Sequence, residues 1–422
     1  MTNDDDLLLI ATKSGDIKRV QMLLARGVSP DVCDRGNTPL MYAANFGYTE
    51  IARSLLDAGA NIDFARKQYR LTALMLAASA NKLDIVQLLV SNGANVNATN
   101  EDGSTALMAA VLKGYVDVVR VLIAAGAEVN IQDQDDDTPL KLAIRSGNAA
   151  IVELILQTGK VDVNSQDDEG ETPLMIAADL GHLDVIKVML AFQADVKLQN
   201  KDGGTALSAA TAAGYSATVR ALLDFGADVN VQDKDGETPL HFAVVEGFKD
   251  VVDVLLCHGA DPKIKNHLGD TPLLLAVLQG YSEIVEKLIA YGTDLNDKNL
   301  GETPLTLAAA KGLIDIVKIL LKSGEVDVNI AADDGKTPLL KAAERNHTEV
   351  IQELLAHNAD VNFLDKSHAT ALMWAASRGY TEAIQLLLQA GADASLKNKG
   401  GYTAQAIAQF NQYTDVVNLL AE

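Results

Sequence analysis

GETPLHFAVVEGFKDVVDVLLCHGADP, from Gly236 to Pro262, decides how this chain folds. Its Thr238-Pro239 pair reads as a helix start. The threonine hydroxyl can accept an orphan N–H, and proline at the next position lacks the N–H that would go unpaired. Leu240 and Ala243, three apart, share one helix face. A second apolar run follows and closes at Gly259, a residue suited to a left-handed helix end. Two helices this short are unstable alone. The stretch therefore needs neighbours of its own kind.

The rest of the sequence supplies them. The pattern Thr-(Pro/Ala)-Leu recurs from Thr38, and its threonines are Thr38, Thr72, Thr105, Thr138, Thr172, Thr205, Thr238, Thr271, Thr303, Thr337, Thr370 and Thr403. Their spacing is 32 to 34 residues throughout. One further unit lies upstream with Ala11, Gly15 and Gly27 in register, which makes thirteen. Five residues after each threonine stands an alanine, such as Ala43, Ala110 or Ala308. A place never larger than alanine predicts close helix approach. Nine residues after the threonine a glycine ends the first helix at Gly47, Gly114, Gly181 and Gly379. The second helix carries apolar pairs such as Val118-Val119 and Leu122-Ile123, and a polar turn ending in Asp-Gly follows. Each unit buries its stripe only against neighbours, so the architecture is a solenoid.

Composition fits that reading. Aromatic residues make up 5% of the 422, and the apolar fraction of 48% rests on Ala, Leu and Val, as thin, alanine-lined layers require. The net charge of −22 disfavours a nucleic-acid binder, which needs clustered Lys and Arg. Cys33 and Cys257 form neither a CxxC pair nor a disulfide framework. No apolar run approaches a membrane-spanning length, and the acidic start MTNDDDLLLI is unlike a signal peptide. The expectation is a cytoplasmic monomer, with Asp4, Asp5 and Asp6 preceding the first helix as part of a polar cap.

These residues closely resemble the ankyrin repeat, as does DDGKTPLLKAAERNHTEVIQELLAHNADVN from Asp333 to Asn362. The resemblance runs from Asp6 to Glu422. It implies an all-α ankyrin-repeat solenoid of about thirteen helix-turn-helix units joined by β-hairpin-like fingers. Residues 1–422 then form a single domain, with an N-terminal capping repeat at 6–37, eleven internal repeats over 38–402 and a truncated C-terminal cap at 403–422. It also implies a concave binding face made of finger tips and first helices, and a role in protein interaction. Departures are visible. The family's TPLH histidine survives only at His241, with methionine at Met41, Met75, Met108, Met175 and Met373, read as flexible packing. Gln193 replaces a cap glycine, and the turn from Asn61 to Leu71 lacks Asp-Gly. Both spots are expected to be locally weak.

Catalytic and cofactor motifs are not found. Gly335-Lys336-Thr337 resembles the end of a P-loop, but Ile330 stands where its glycine is needed. The seven histidines show no zinc spacing, and His182 and His347 share a column with Tyr48, Tyr115, Tyr215, Tyr281, Tyr380 and Tyr413, where a structural role is expected. Asp133, Asp135 and Asp137 mimic a calcium loop, but Ile144 occupies its twelfth place. The chain is expected to be no enzyme, with no metal and no cofactor.

Candidate contact residues fall in two groups. Two neighbouring turns are acidic, one with Asp135 and Asp137, the other with Asp168, Glu169 and Glu171. They are either solvated turn charge or a patch for a partner with a basic surface, their fields adding. Positions four and eight after the threonine share a second helix face. There stand Tyr42, Phe46, Phe242 and Trp374, either contact anchors or covers for neighbouring helices. Lys341, Arg345 and Arg378 make that face mixed in charge, and Lys341 suggests that the fourth position is not fully buried. The expected function is a non-enzymatic scaffold or adaptor. The alternative is a regulatory or inhibitory subunit that occludes a target enzyme or factor.

Overall fold

The computed structural model describes residues 4–421. Among them are twenty-six helices, from α1 (Asp4–Lys13) to α26 (Thr414–Leu419), and no strand. Odd-numbered helices are the first helices of the units, and even-numbered ones follow them. The described residues divide into two compact bodies, the first ending at Lys201 and the second beginning at Asp202. Within each body, successive first helices pack side by side, as α5 (Ala73–Ser79) does on α7 (Ala106–Leu112) and α21 (Pro338–Glu344) on α23 (Ala371–Arg378). The alanine column lies at these contacts, with Ala77, Ala110, Ala342 and Ala375 wholly buried.

The repeat threonines cap as expected. The hydroxyl of Thr105 accepts the Met108 N–H at 3.2 Å, and Thr172 accepts that of Met175 at the same distance. The variable third position answers a second need. The N–H of each buried threonine also requires a partner. Met108 and Met175 supply sulfur at 3.4 Å, Ser208 a hydroxyl at 3.3 Å, Thr306 one at 2.7 Å, and His241 its Nδ1 at 3.1 Å. Acceptance at Nδ1 leaves the His241 proton on Nε2, 3.2 Å from the Asp270 carbonyl. Burial lowers the pKa of this imidazole, which keeps it neutral. These methionines are therefore packed and, in two units, also complete the cap.

The Tyr/His column locks adjacent units together. The rings of Tyr48, His182, Phe248, Tyr281, His347 and Tyr413 sit over the glycine that ends the preceding first helix. A Cβ on Gly247 (φ +74°) would lie 2.9 Å from the Tyr281 ring. His182 and His347 take the same seats over Gly147 and Gly312. Their Nε2 atoms stand 3.3 and 3.2 Å from the Arg145 and Ala310 carbonyls. Both have the structural role expected of them.

Two expectations change. The fingers are too short for strands and show only isolated pairings, Asp34 with Asn37 and Asn299 with Glu302. Elsewhere an aspartate or asparagine side chain closes the reversal. Asp133 Oδ1 accepts the Asp135 and Asp137 N–H groups at 3.1 and 2.9 Å. Some neighbouring fingers join by one backbone bond, as Gln134 N–H does to Asp102 O at 2.9 Å. The second change concerns Asp4, Asp5 and Asp6, which form the first turn of α1 rather than preceding it. Carboxylates there complement the positive end of the helix dipole.

Gln193 adopts the left-handed φ of +65° that the missing glycine would take. A side chain costs roughly 1–2 kcal/mol in that region. Gln193→Gly is expected to stabilise the first body by about 1 kcal/mol, less than the full strain because glycine loses more chain entropy on folding. Urea unfolding checks this, and a midpoint lowered by the change would refute it.

Candidate protein-interaction surfaces

Position eight after each threonine is exposed wherever its chemistry varies: Phe46, Lys113, Leu180, Glu246, Lys311, Arg345 and Arg378 all face solvent. The fourth position is half-buried in most units. Within each body the two columns therefore form an accessible strip along the first helices.

At the N-terminal end of the first body the strip is aromatic. Tyr42 and Phe46, both on α3 (Pro39–Phe46), stack with centroids 6.3 Å apart and planes 13° apart. Tyr48 adds a third ring 5.8 Å from Phe46. Lys13 reaches across from α1, with its ammonium 4.4 Å from the Tyr42 ring and 2.5 Å from Asp34 Oδ2. The Asp34 hydrogen bond raises the Lys13 pKa, and the same bond lowers that of Asp34. Phe46 is left 45% exposed. Predicted from spacing alone, Tyr42 and Phe46 are brought together.

In the second body the strip is a charge network. Phe242 is half-buried on α15 (Pro239–Val245). Trp374 is half-buried, its indole N–H donating to Asp365 Oδ2 at 2.9 Å while the Lys336 ammonium sits 3.7 Å from its ring. Burial pushes the Asp365 carboxyl up. Bonds from the Ser367 hydroxyl, the Ala369 N–H and the Trp374 indole outweigh that and hold it below the usual range. Lys341 corrects the sequence reading. It is 7% exposed, with its ammonium 2.5 Å from Glu302 and 2.8 Å from Asp334. Its chemistry at this column marks a neutralised interior charge, not an open surface. Arg345 and Arg378 remain exposed.

The acidic turns divide likewise. Asp135, Asp168 and Glu169 are exposed. Asp137 is not: it is 6% exposed and paired to Arg145 at 2.5 Å. Burial raises its pKa against the pull of Arg145. Asp137 therefore leaves the turn's outward charge. Glu171 is half-buried and accepts from Asn200 at 2.6 Å. A cleft of about 370 Å³ separates the two turns, lined by Asp136, Asp162, Asp167 and Glu171 and also by Lys141 and Lys160. Lys160 belongs to the second turn in sequence, and the fold adds Lys141 from a first helix.

Sequence reasoning missed several exposed groups. Leu268 and Leu300 are 76% and 91% exposed on consecutive fingers. The signal for Leu300 was the single 32-residue interval, between Thr271 and Thr303. It shortens that finger and forces Leu300 to a φ of +49°. Lys311 was visible in the eighth column but was not singled out. Among the described residues no group of His, Cys, Asp and Glu could hold a metal, and no helix is long and apolar enough to cross a membrane. Cys257 is exposed, its sulfur 3.4 Å from the Tyr291 hydroxyl.

A family model described as "Ankyrin repeats (3 copies)" matches residues 2–66, 63–133, 125–197, 186–266, 259–332 and 324–398. The "Ankyrin repeat, SAM and basic leucine zipper domain-containing protein 1" of Ornithorhynchus anatinus is 41% identical over 101 residues, covering 22% of this chain and 21% of that protein. The "Ankyrin repeat and KH domain-containing protein 1" of Homo sapiens is 36% identical over 106 residues, covering 25% of this chain and 4% of that protein. The chain thus spans about a fifth or less of these relatives. Among solved structures, the ankyrin repeat domain of Bcl-3 is 31% identical over 52% of this chain and 100% of that one, with a TM-score of 0.48. That of human ASB11 is 32% identical over 53% of this chain and 99% of that one, with a TM-score of 0.47.

Proposed function

Since the chain belongs to the ankyrin-repeat family, we propose that it is a non-enzymatic scaffold that holds a protein partner along its first helices and fingers. Ankyrin repeats are in general protein-interaction modules. One observation carries the reading here. The stacked Tyr42–Phe46 pair leaves Phe46, the aromatic side chain at the eighth position, 45% exposed beside a fixed neighbouring ring. A ring fixed by a stacked neighbour loses little freedom on binding, and aromatic anchors of this kind dominate interface energies.

Asp135, Asp168 and Glu169 on the neighbouring acidic fingers add attraction for a partner with a basic surface. Affinity capture from native lysate at low and high salt, with wild type and Phe46→Asp, tests both parts. Phe46→Asp is expected to weaken capture at both salts by on the order of 10-fold or more, the loss of one anchor. Salt alone is expected to weaken the finger contribution. Equal recovery of the same proteins by wild type and Phe46→Asp, with the helical spectrum intact, would refute the anchor.

A further inference from the structure

We infer that Lys311, Arg345 and Arg378 form a docking ridge for an extended acidic peptide segment. This rests on the reading that first helices hold a protein partner, and it specifies that partner's chemistry on the second body. The three residues occupy the eighth position of three consecutive units, at the end of α19 (Pro304–Lys311), just past α21 and at the end of α23. All three are exposed. A row of cations is unexpected on a chain of net charge −22.

Their orientation is fixed from below. Lys311 Nζ donates to the Leu278 carbonyl at 2.6 Å, and Arg345 donates through one guanidinium nitrogen to the Ala310 carbonyl at 2.6 Å. Both carbonyls belong to the last turn of the preceding unit's first helix, where a cation also meets the negative end of the dipole. Arg378 stands 3.9 Å from Glu344, at the corresponding place one unit back. Lys311 and Arg345 each use one donor this way, and all three side chains keep exposed surface.

The carboxylates of this face are engaged elsewhere. Glu302 and Asp334 hold Lys341, Glu344 holds Lys336 at 2.5 Å, and Asp365 takes the Trp374 indole and the Ser367 hydroxyl. Among the described residues no carboxylate lies within ion-pair distance of Lys311 or Arg345. The interior network thus consumes most of the local negative charge and leaves Lys311 and Arg345 without counter-ions, while Arg378 shares Glu344 with Lys336.

The spacing selects the ligand. Packed helices lie roughly 8–10 Å apart, and an extended polyproline II chain rises about 3.1 Å per residue with three residues per turn. In that conformation a segment with a carboxylate at every third residue presents them on one face and meets successive cations. Arginine favours carboxylate through paired N–H donors. A nucleic acid offers anions too, but the remaining charge of the chain repels a polyanion along its whole length.

The test uses the full chain and a fluorescein-labelled peptide bearing glutamate at every third position, separated by Gly and Ser. Its isomer with contiguous glutamates and a single-stranded oligonucleotide serve as competitors. Fluorescence anisotropy is expected to show the spaced peptide bound more tightly than both. R345E/R378E is expected to weaken it at least tenfold, with R345Q/R378Q intermediate. K318E/K322E, the same charge change at exposed sites on α20 (Ile314–Lys322), is expected to change it less than twofold. Equal affinity for the isomer, tighter binding of the oligonucleotide, or equal weakening by K318E/K322E would overturn the inference. If the peptide fails while lysate capture still depends on Phe46, only the ridge is lost. If capture does not depend on Phe46 while the peptide binds as described, the aromatic anchor is lost and the ridge stands.

Discussion

Lys341→Met lowers the stability of the second body by about 3 kcal/mol, at the low end of the ~3–5 kcal/mol range for breaking a buried ion pair. The substitution keeps the length of the side chain and removes its charge, leaving Glu302 and Asp334 without their shared cation. The low end is expected because Asp334 is 44% exposed, so water relaxes part of the repulsion. Burial lowers the Lys341 pKa, but the bonds to Asp334 and Glu302 outweigh it and raise the value overall. Burial raises that of Asp334, and the bond from Lys341 reverses the sign, holding it below the ordinary range. A depressed carboxylate stabilises the fold above its unfolded pKa, and the contribution is lost as pH falls through the folded value. The deficit of Lys341→Met is therefore largest near neutral pH and shrinks in acid. Trp374, the chain's only tryptophan, lies on the adjacent α23 and reports the change in urea. An unchanged emission midpoint at neutral pH would show that the network contributes nothing.

In the first body Leu107→Ala has an effect of similar size. Leu107 is wholly buried on α7 between α5 and α9 (Pro139–Arg145). Deleting a leucine side chain at such a site costs about 2–5 kcal/mol, according to how far the neighbours close the cavity. Repeat arrays gain stability from nearest-neighbour contacts, so the loss falls on adjoining units first. Far-UV circular dichroism is expected to show an early transition at lower urea, while the Trp374 emission midpoint, eight repeats away, stays within error. One coincident shift of both signals would mean that the chain unfolds as a single cooperative unit.

The repeat period, the threonine caps and the alanine column were legible because each depends on residues a few places apart. The same holds for Tyr42 and Phe46, whose stacking follows from a separation of one helical turn. Lys341 was misread for the opposite reason, and Asp137 because its cation stands outside the turn, at the end of the following helix. The partners that bury Lys341 include Glu302, 39 residues back and in another unit. Asp137 turns inward to Arg145, while Asp135 in the same acidic run turns out. Composition of a turn does not state which carboxylates meet a cation. The acceptor role of the third column was hidden because Met, Ser, Thr and His share no class beyond a lone pair within reach of one N–H.

The seating of each Tyr281-type ring over the glycine of the unit before it has an evolutionary consequence. Knob and socket lie in different units, so a repeat with both the ring and the glycine carries one half of two joints. Duplicating or excising one whole period between such repeats leaves each knob facing a socket of the same shape. A cut at any other interval strands a ring against a helix. Lineages carrying this joint can thus change length by whole units through unequal recombination, with selection acting afterwards on the eighth-position side chains alone.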